Sequence, residues 1–142
     1  MLGIGYFPIA QGTLGSIFTI LIWFICFNYL SLIYFYLLLI LVLISSFYLI
    51  NIYLKNTAKD DPPEVIVDEF IGQSIPLLFI FNMSYVELLI SFSAFRVFDI
   101  LKIYPVNKAE QLKGSIGVII DDIVAGIYAL IILLLYKILI SI

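Results

Sequence analysis

The chain has no histidine and one cysteine. The first absence removes every mechanism that needs an imidazole base, ligand or nucleophile. The second rules out a disulfide within the chain, and Cys26 lies in an apolar run between Ile25 and Phe27, a poor setting for a reactive thiolate. Charge is scarce as well. Only 12% of the 142 residues are charged, against about 25% in an ordinary soluble domain. So few charges do not cover a water-facing surface, and the 64% hydrophobic composition points to lipid as the main solvent. The net charge is −3, and no basic patch is interleaved with aromatics, which excludes nucleic acid as a partner. The length suits one integral-membrane domain over residues 1–142.

What is present is long apolar sequence cut by two polar loops. After a stretch rich in glycine and small residues, Gly3 to Ser16, apolar sequence runs from Ile17 to Leu54, broken only around Asn28 to Ser31. A bilayer needs about 20 residues per helical span, so this run predicts two spans with a tight turn near Asn28. The first reads as a span and not a signal peptide, because it lacks a basic leader and a small-residue cleavage site. Pro62 and Pro63 forbid a continuous helix through the polar segment Lys55 to Glu64. A short third span is expected from Val65 to Phe81, a fourth from Tyr85 to about Ile103, and a last from Ile116 to about Ile140 beyond a polar loop at Tyr104 to Ser115. The expected fold is an all-α polytopic transmembrane helical bundle of about five membrane-embedded helices, the third of them short enough to be partly re-entrant.

Lysines give the orientation. Lys55 and Lys59 lie in the first polar loop, and Lys102, Lys108 and Lys113 at the second, whereas the turns near Asn28 and Asn82 carry no Lys or Arg. Five spans place both lysine-bearing loops on the side of the N-terminus, and the positive-inside rule makes that side the cytoplasm.

Ionisable residues inside spans cost about 2.5–3.5 kcal/mol each on insertion scales. Here they are Asp68, Glu69, Arg96, Asp99, Asp121 and Asp122, all expected near the cytoplasmic ends of their helices. Only Glu87 and Lys137 fall toward the other side, and Glu87 reads as interfacial. Val65-Ile66-Val67-Asp68-Glu69 is echoed by Val118-Ile119-Ile120-Asp121-Asp122, each followed by a glycine, Gly72 and Gly126. Each pair is expected in the opening turns of a helix, where the macrodipole favours carboxylates, with small residues nearby that let helices approach. Four carboxylates so close do not all stay ionised without a cation. Oxygen-only ligands favour a hard ion, Mg²⁺ before Ca²⁺. Arg96, Asp99 and Lys102 form a drifting stripe on one helix face at spacing i, i+3, i+6. Mg²⁺, carboxylates and an arginine are the parts needed to bind and hydrolyse a phosphate ester. The stretch Gly12-Thr13-Leu14-Gly15-Ser16 adds backbone N–H groups and two hydroxyls at a helix start. Plainer readings compete: Arg96–Asp99 as a structural pair, Gly12 and Gly15 as packing residues, Asp60 and Asp61 as a solvated turn. The two acidic pairs have no such inexpensive explanation.

These residues resemble the phosphatidylglycerophosphatase A family of bacterial membrane lipid phosphatases. The stretches that carry the resemblance are GTLGS at 12–16, DDPPEVIVDEFIG at 60–72, FRVFDILK at 95–102 and GVIIDDIVAG at 117–126, in the family's order. The resemblance implies Mg²⁺-dependent removal of the terminal phosphate of phosphatidylglycerophosphate, giving phosphatidylglycerol, at the cytoplasmic face of the bacterial inner membrane. The expected site has Asp68, Glu69, Asp121 and Asp122 as metal-holding and catalytic carboxylates and Asp99 as a further metal ligand. Thr13, Ser16, Arg96 and Lys102 are expected to bind the phosphate. The chain departs from the family's pattern at Gln11-Gly12, at Lys102-Ile103, where the helix is expected to end less sharply, and at Gly114-Ser115.

Other phosphatase chemistries fit poorly. Cys26 has no arginine-containing loop after it, and no Asp-x-Asp pattern occurs. Attack by a metal-activated water with a carboxylate as base is favoured over a carboxylate phosphoester. An ion or proton carrier is the reading from another class. It needs acidic groups near mid-membrane, and the uncharged stretch Ile123 to Tyr136 counts against it.

Overall fold

A computed structural model describes residues 11–56, 67–109 and 115–141. Among these residues the protein is all helical: α1 Gln11–Tyr29, α2 Leu32–Asn56, α3 Val67–Leu77, α4 Tyr85–Leu101, α5 Val106–Ala109 and α6 Ser115–Ser141. Helix is the form an apolar chain takes when lipid offers its backbone no hydrogen bonds. The breaks fall where side chains or backbone geometry satisfy the helix ends. Ser31 opens α2, its carbonyl accepting from Tyr34 N and its hydroxyl from Ile33 N. Ser84 caps α4 by accepting from Glu87 N at 3.3 Å, at the Ser-x-x-Glu spacing of a capping box. Lys102 ends α4 in the left-handed region at φ 45°, its N–H bonded to Phe98 O. That end is sharp despite the missing proline.

The turn near Asn28 and the breaks on either side of α4 match the sequence reading. Two elements differ. Among the described residues the third helix is Val67–Leu77, ending before the expected Phe81, while Val65 and Ile66 lie outside the described residues; those eleven residues reach about 16 Å at 1.5 Å per residue, short of a hydrocarbon core of about 30 Å. The polar loop after α4 holds the unexpected short helix α5. Among the described residues two helical stretches, Gln11–Tyr29 and Ile119–Ser141, are long and apolar enough to cross a membrane, so the five expected embedded helices are not all matched. The Asp60–Pro63 turn and Lys59 and Lys113 lie outside the described residues.

Short α3 is the centre of the bundle. Asp68, Phe70, Ile71, Gly72, Gln73, Ser74, Pro76 and Leu77 are all buried, and α1, α2, α4 and α6 pack around them. The outside is apolar: Leu37, Ile40, Leu41 and Ile44 of α2 and Ile138, Leu139 and Ile140 of α6 are exposed. The inside carries Ser16, Thr19, Gln73, Ser74 and Ser91, each fully buried. Short hydroxyl side chains bond back to their own helices, Thr19 to Gly15 O at 2.9 Å and Ser74 to Phe70 O at 2.6 Å. Gln73 instead ties α3 to α4, donating to Ser91 Oγ at 3.0 Å.

Helices α3 and α6 approach closely through two glycines. A Cβ on Gly72 would meet Asp122 O at 2.5 Å and the Phe95 ring at 2.6 Å. A Cβ on Gly126 would collide with Gly72 O. Pro76 supplies no N–H to the carbonyl four residues back, which is this same Gly72 carbonyl facing Gly126. Alanine in a helix interior is ordinarily worth about 1 kcal/mol over glycine, but here its methyl meets backbone, which does not swing aside. Gly72→Ala and Gly126→Ala are therefore expected to destabilise the protein by about 1–3 kcal/mol, read as a lower Tm in detergent. Gly12→Ala, whose methyl meets only the ends of the Glu69 and Arg96 side chains, is expected to shift Tm by less than either.

Candidate active site

The glycine contact sets the position of the acids. Asp68 lies four residues before Gly72 and Asp122 four before Gly126. On each helix the carboxylate is thus one turn above the glycine on the same face. Closing the backbones at the glycines brings the carboxylates together. Asp68, Glu69 and Asp122 offer oxygens that all lie within 4.8 Å of one another. Asp68 and Asp122 are buried, at 8% and 4% exposure. Consecutive helical residues point about 100° apart, and the longer Glu69 stem makes up the divergence from Asp68. The shorter Asp121 does not follow Asp122; it turns to Lys102, whose Nζ is 3.3 Å from Asp121 Oδ2.

Helices α4 and α1 close the other side. Arg96 forms an ion pair with Asp99 one turn on, and Asp99 in turn interacts electrostatically with Glu69 and Asp122. Gly12 of α1 lies flat against both groups: a Cβ there would come within 2.6 Å of Glu69 Oε1 and 2.9 Å of Arg96 Nη1. Among the described residues, Glu69 Oε2 and Arg96 Nε are buried without a hydrogen-bond partner. An acceptor and a donor thus stand open at the same place, beside a group of acids.

Most residues expected at the site converge there. Asp68, Glu69 and Asp122 form the compact group, Asp99 and Arg96 border it, and the Lys102–Asp121 pair stands alongside. Thr13 is half-buried next to Gly12. Ser16 is buried, and its hydroxyl donates to Gly12 O at 3.0 Å, so its proton is directed into its own helix. Position in the helix differs from expectation for one acidic pair. Asp68 and Glu69 occupy the first turn of α3, but Asp121 and Asp122 are the seventh and eighth residues of α6, beyond the first turn where the macrodipole acts. Glu87 is buried against the bundle in the first turn of α4, paired with Lys137 at 2.9 Å, and Lys137 also donates to Phe79 O. Both residues had been expected on the side away from the acids, so their pairing was within reach of the sequence. Gln73, one turn below Glu69, carried no signal in the sequence because a lone glutamine in an apolar run has no partner until the helices pack.

The profile of one protein family, phosphatidylglycerophosphatase A, matches residues 1–137. The chain belongs to that family. Among curated relatives, a Bacteroides thetaiotaomicron protein provisionally named a phosphatidylinositol-3-phosphatase is 35% identical over 92% of this chain and 86% of its own length. The Escherichia coli phosphatidylglycerophosphatase A is 31% identical over 88% of this chain and 73% of its own. That of Haemophilus influenzae is 40% identical over 60% of this chain and 56% of its own. No solved structure matches the chain. The resemblance read from the four motifs thus stands, and with it a family of phosphatases.

The donor set fits a hard divalent cation. Among the described residues the ligand atoms on offer are carboxylate oxygens, the type Mg²⁺ takes, and the buried Glu69 Oε2 has no hydrogen-bond donor there. Three carboxylates this close repel one another unless protons or a cation intervene. Asp68→Asn and Asp122→Asn are each expected to abolish phosphate release while leaving folded protein in normal yield; near-normal activity in either variant would remove that residue from the site. Glu87→Gln, at the far end of the bundle, is expected to lower Tm and leave kcat unchanged.

Proposed function

We propose that the protein hydrolyses the terminal phosphate monoester of phosphatidylglycerophosphate, with Mg²⁺ as cofactor, at the cytoplasmic face of the bacterial inner membrane. The observation that carries this reading is the buried group of Asp68, Glu69 and Asp122 beside Arg96 in a chain of the phosphatidylglycerophosphatase A family.

Asp68, Glu69 and Asp122 would hold the cation, with Asp99 at its edge. Bound there, Mg²⁺ supplies charge neutralisation and polarises the phosphoryl oxygens. Arg96 and Lys102 receive the phosphate dianion, Arg96 through the planar fork suited to phosphate oxygens. The Thr13 hydroxyl is a further donor, while Ser16 holds the first turns of α1 in shape. Asp121 keeps Lys102 directed at the site. A carboxylate of the group takes the proton of the attacking water as its oxygen bonds to phosphorus. The bond from phosphorus to the glycerol oxygen breaks, that oxygen receives the proton the carboxylate took from water, and phosphatidylglycerol and inorganic phosphate leave.

The topology is part of the proposal. Asp68 lies level with Asp122, and Phe79 is bonded to Lys137. Between those levels α6 advances fifteen residues, about 22 Å. Short α3 and the turn after it cover the same depth, which supports five membrane-embedded segments with the acids at one face. Lysine distribution supports a cytoplasmic assignment for that face.

Purified protein is expected to release phosphate from phosphatidylglycerophosphate with Mg²⁺, to lose activity in chelator and to regain it when Mg²⁺ is returned. Release untouched by chelator would overturn the metal; no release at all would overturn the function. Phosphatidylinositol 3-phosphate belongs in the same assay because of the Bacteroides relative's name, and a preference for it would change the substrate and keep the chemistry.

A further inference from the structure

We infer that the seam between α1 and α4 is a binding groove for an acyl chain of the lipid substrate, leading from the phosphate site into the bilayer. This rests on the lipid-phosphatase reading above.

Ile17 and Ile20 of α1 and Tyr85, Leu88, Leu89 and Phe92 of α4 line an open cavity of about 300 Å³. On α4 these positions follow the helical spacing i, i+3, i+4, i+7, and the next member of the same stripe, i+11, is Arg96. On α1 the stripe Ile20, Ile17 continues back to Thr13. The two helices are in contact at the site end, where Gly12 lies against the Arg96 guanidinium. One continuous seam is therefore apolar from Tyr85 to Phe92 and then, one turn on, ends in a guanidinium and a hydroxyl. The distance along α4 from Tyr85 to Arg96 is about 16 Å. This pattern, a long apolar channel with cationic polarity at one end only, matches an amphiphile whose phosphate and tail lie in line.

The groove has a buried floor and open walls. Leu88 is 8% exposed, while Leu89 and Tyr85 are 65% and 75% exposed. Lipid tails are as apolar as leucine, so a chain gains little solvation energy by entering the groove. What it gains is alignment: the tail held in the seam sets where the phosphate arrives, and remote binding of this kind appears in the reaction rate. The groove thus discriminates substrates by tail and not by head group.

Two experiments test the groove. Leu89→Trp places a large ring in it at an exposed position that folding tolerates. For dioleoyl phosphatidylglycerophosphate in mixed micelles, kcat/KM is expected to fall about tenfold, while the dibutyryl analogue, too short to reach Leu89, changes by less than about twofold. Equal losses on both substrates, or no loss on either, would overturn the groove. Wild-type protein inactive on both would instead overturn the phosphatase reading. The second experiment needs no turnover. With chelator present, Tyr85→Trp at the groove's rim is expected to be quenched more strongly by phosphatidylglycerophosphate with brominated acyl chains than by brominated phosphatidylcholine at equal mole fraction, after subtraction of the Trp23 signal. Equal quenching would mean that bulk lipid fills the seam and would overturn the assignment.

Discussion

The contact between α3 and α6 at Gly72 and Gly126 is the constraint on which the rest of the molecule depends. Two helix backbones meet there without side chains between them. Helix packing in lipid has little hydrophobic drive, and close van der Waals approach takes its place. Pro76 contributes by leaving the Gly72 carbonyl without its usual donor, so that the carbonyl can face the other helix. One turn above, the same approach presses Asp68 and Glu69 against Asp122. Side chains as large as valine at the glycines would hold the helices apart and with them the acids. Packing and chemistry are one geometric fact in this bundle.

Putting acids in the centre of an apolar bundle carries an electrostatic cost that the protein meets in three ways. Arg96 pairs with Asp99, Lys102 pairs with Asp121, and Glu87 pairs with Lys137 at the other end. The remaining group, Asp68, Glu69 and Asp122, forms no ion pair among the described residues, and a hard cation would complete it. The uncharged polar groups follow the same logic at lower cost. Thr19 and Ser74 close onto their own helices, and Gln73 reaches Ser91 across the α3–α4 contact. The surface is the reverse of a soluble protein's: leucine and isoleucine outside, carboxylates and hydroxyls within.

Helix α1 completes the site through what it lacks. Gly12 offers no side chain, and this flatness lets Glu69 and Arg96 lie against the backbone of α1. Along the same seam the α1 and α4 side chains change from polar to apolar within one turn. On the proposed reading, a reactive group at the head of a lipid has to reach the acids without its tails leaving the bilayer, and a lateral seam would satisfy both demands where a water-filled shaft would not. Short α3 serves the same end, since it carries the acids in its first described turn and leaves the surrounding helices to form the wall.

Much of this was legible in the chain itself. Scarcity of charge pointed to lipid as solvent, apolar run lengths marked the helices, and the acidic pairs with their following glycines announced two helices that approach closely. Those features are local or periodic, so sequence carries them directly. Tertiary structure decided the rest. Asp122 and not Asp121 joins Asp68 and Glu69, because neighbours on a helix diverge by about 100° and only packing chooses which one turns inward. Ser16 turns back to Gly12 O, Glu87 finds Lys137 fifty residues away, and Gln73 finds Ser91. Each of these depends on the rotation of one helix against another. That rotation is set by where two glycines let backbones touch, and no single segment of sequence contains it.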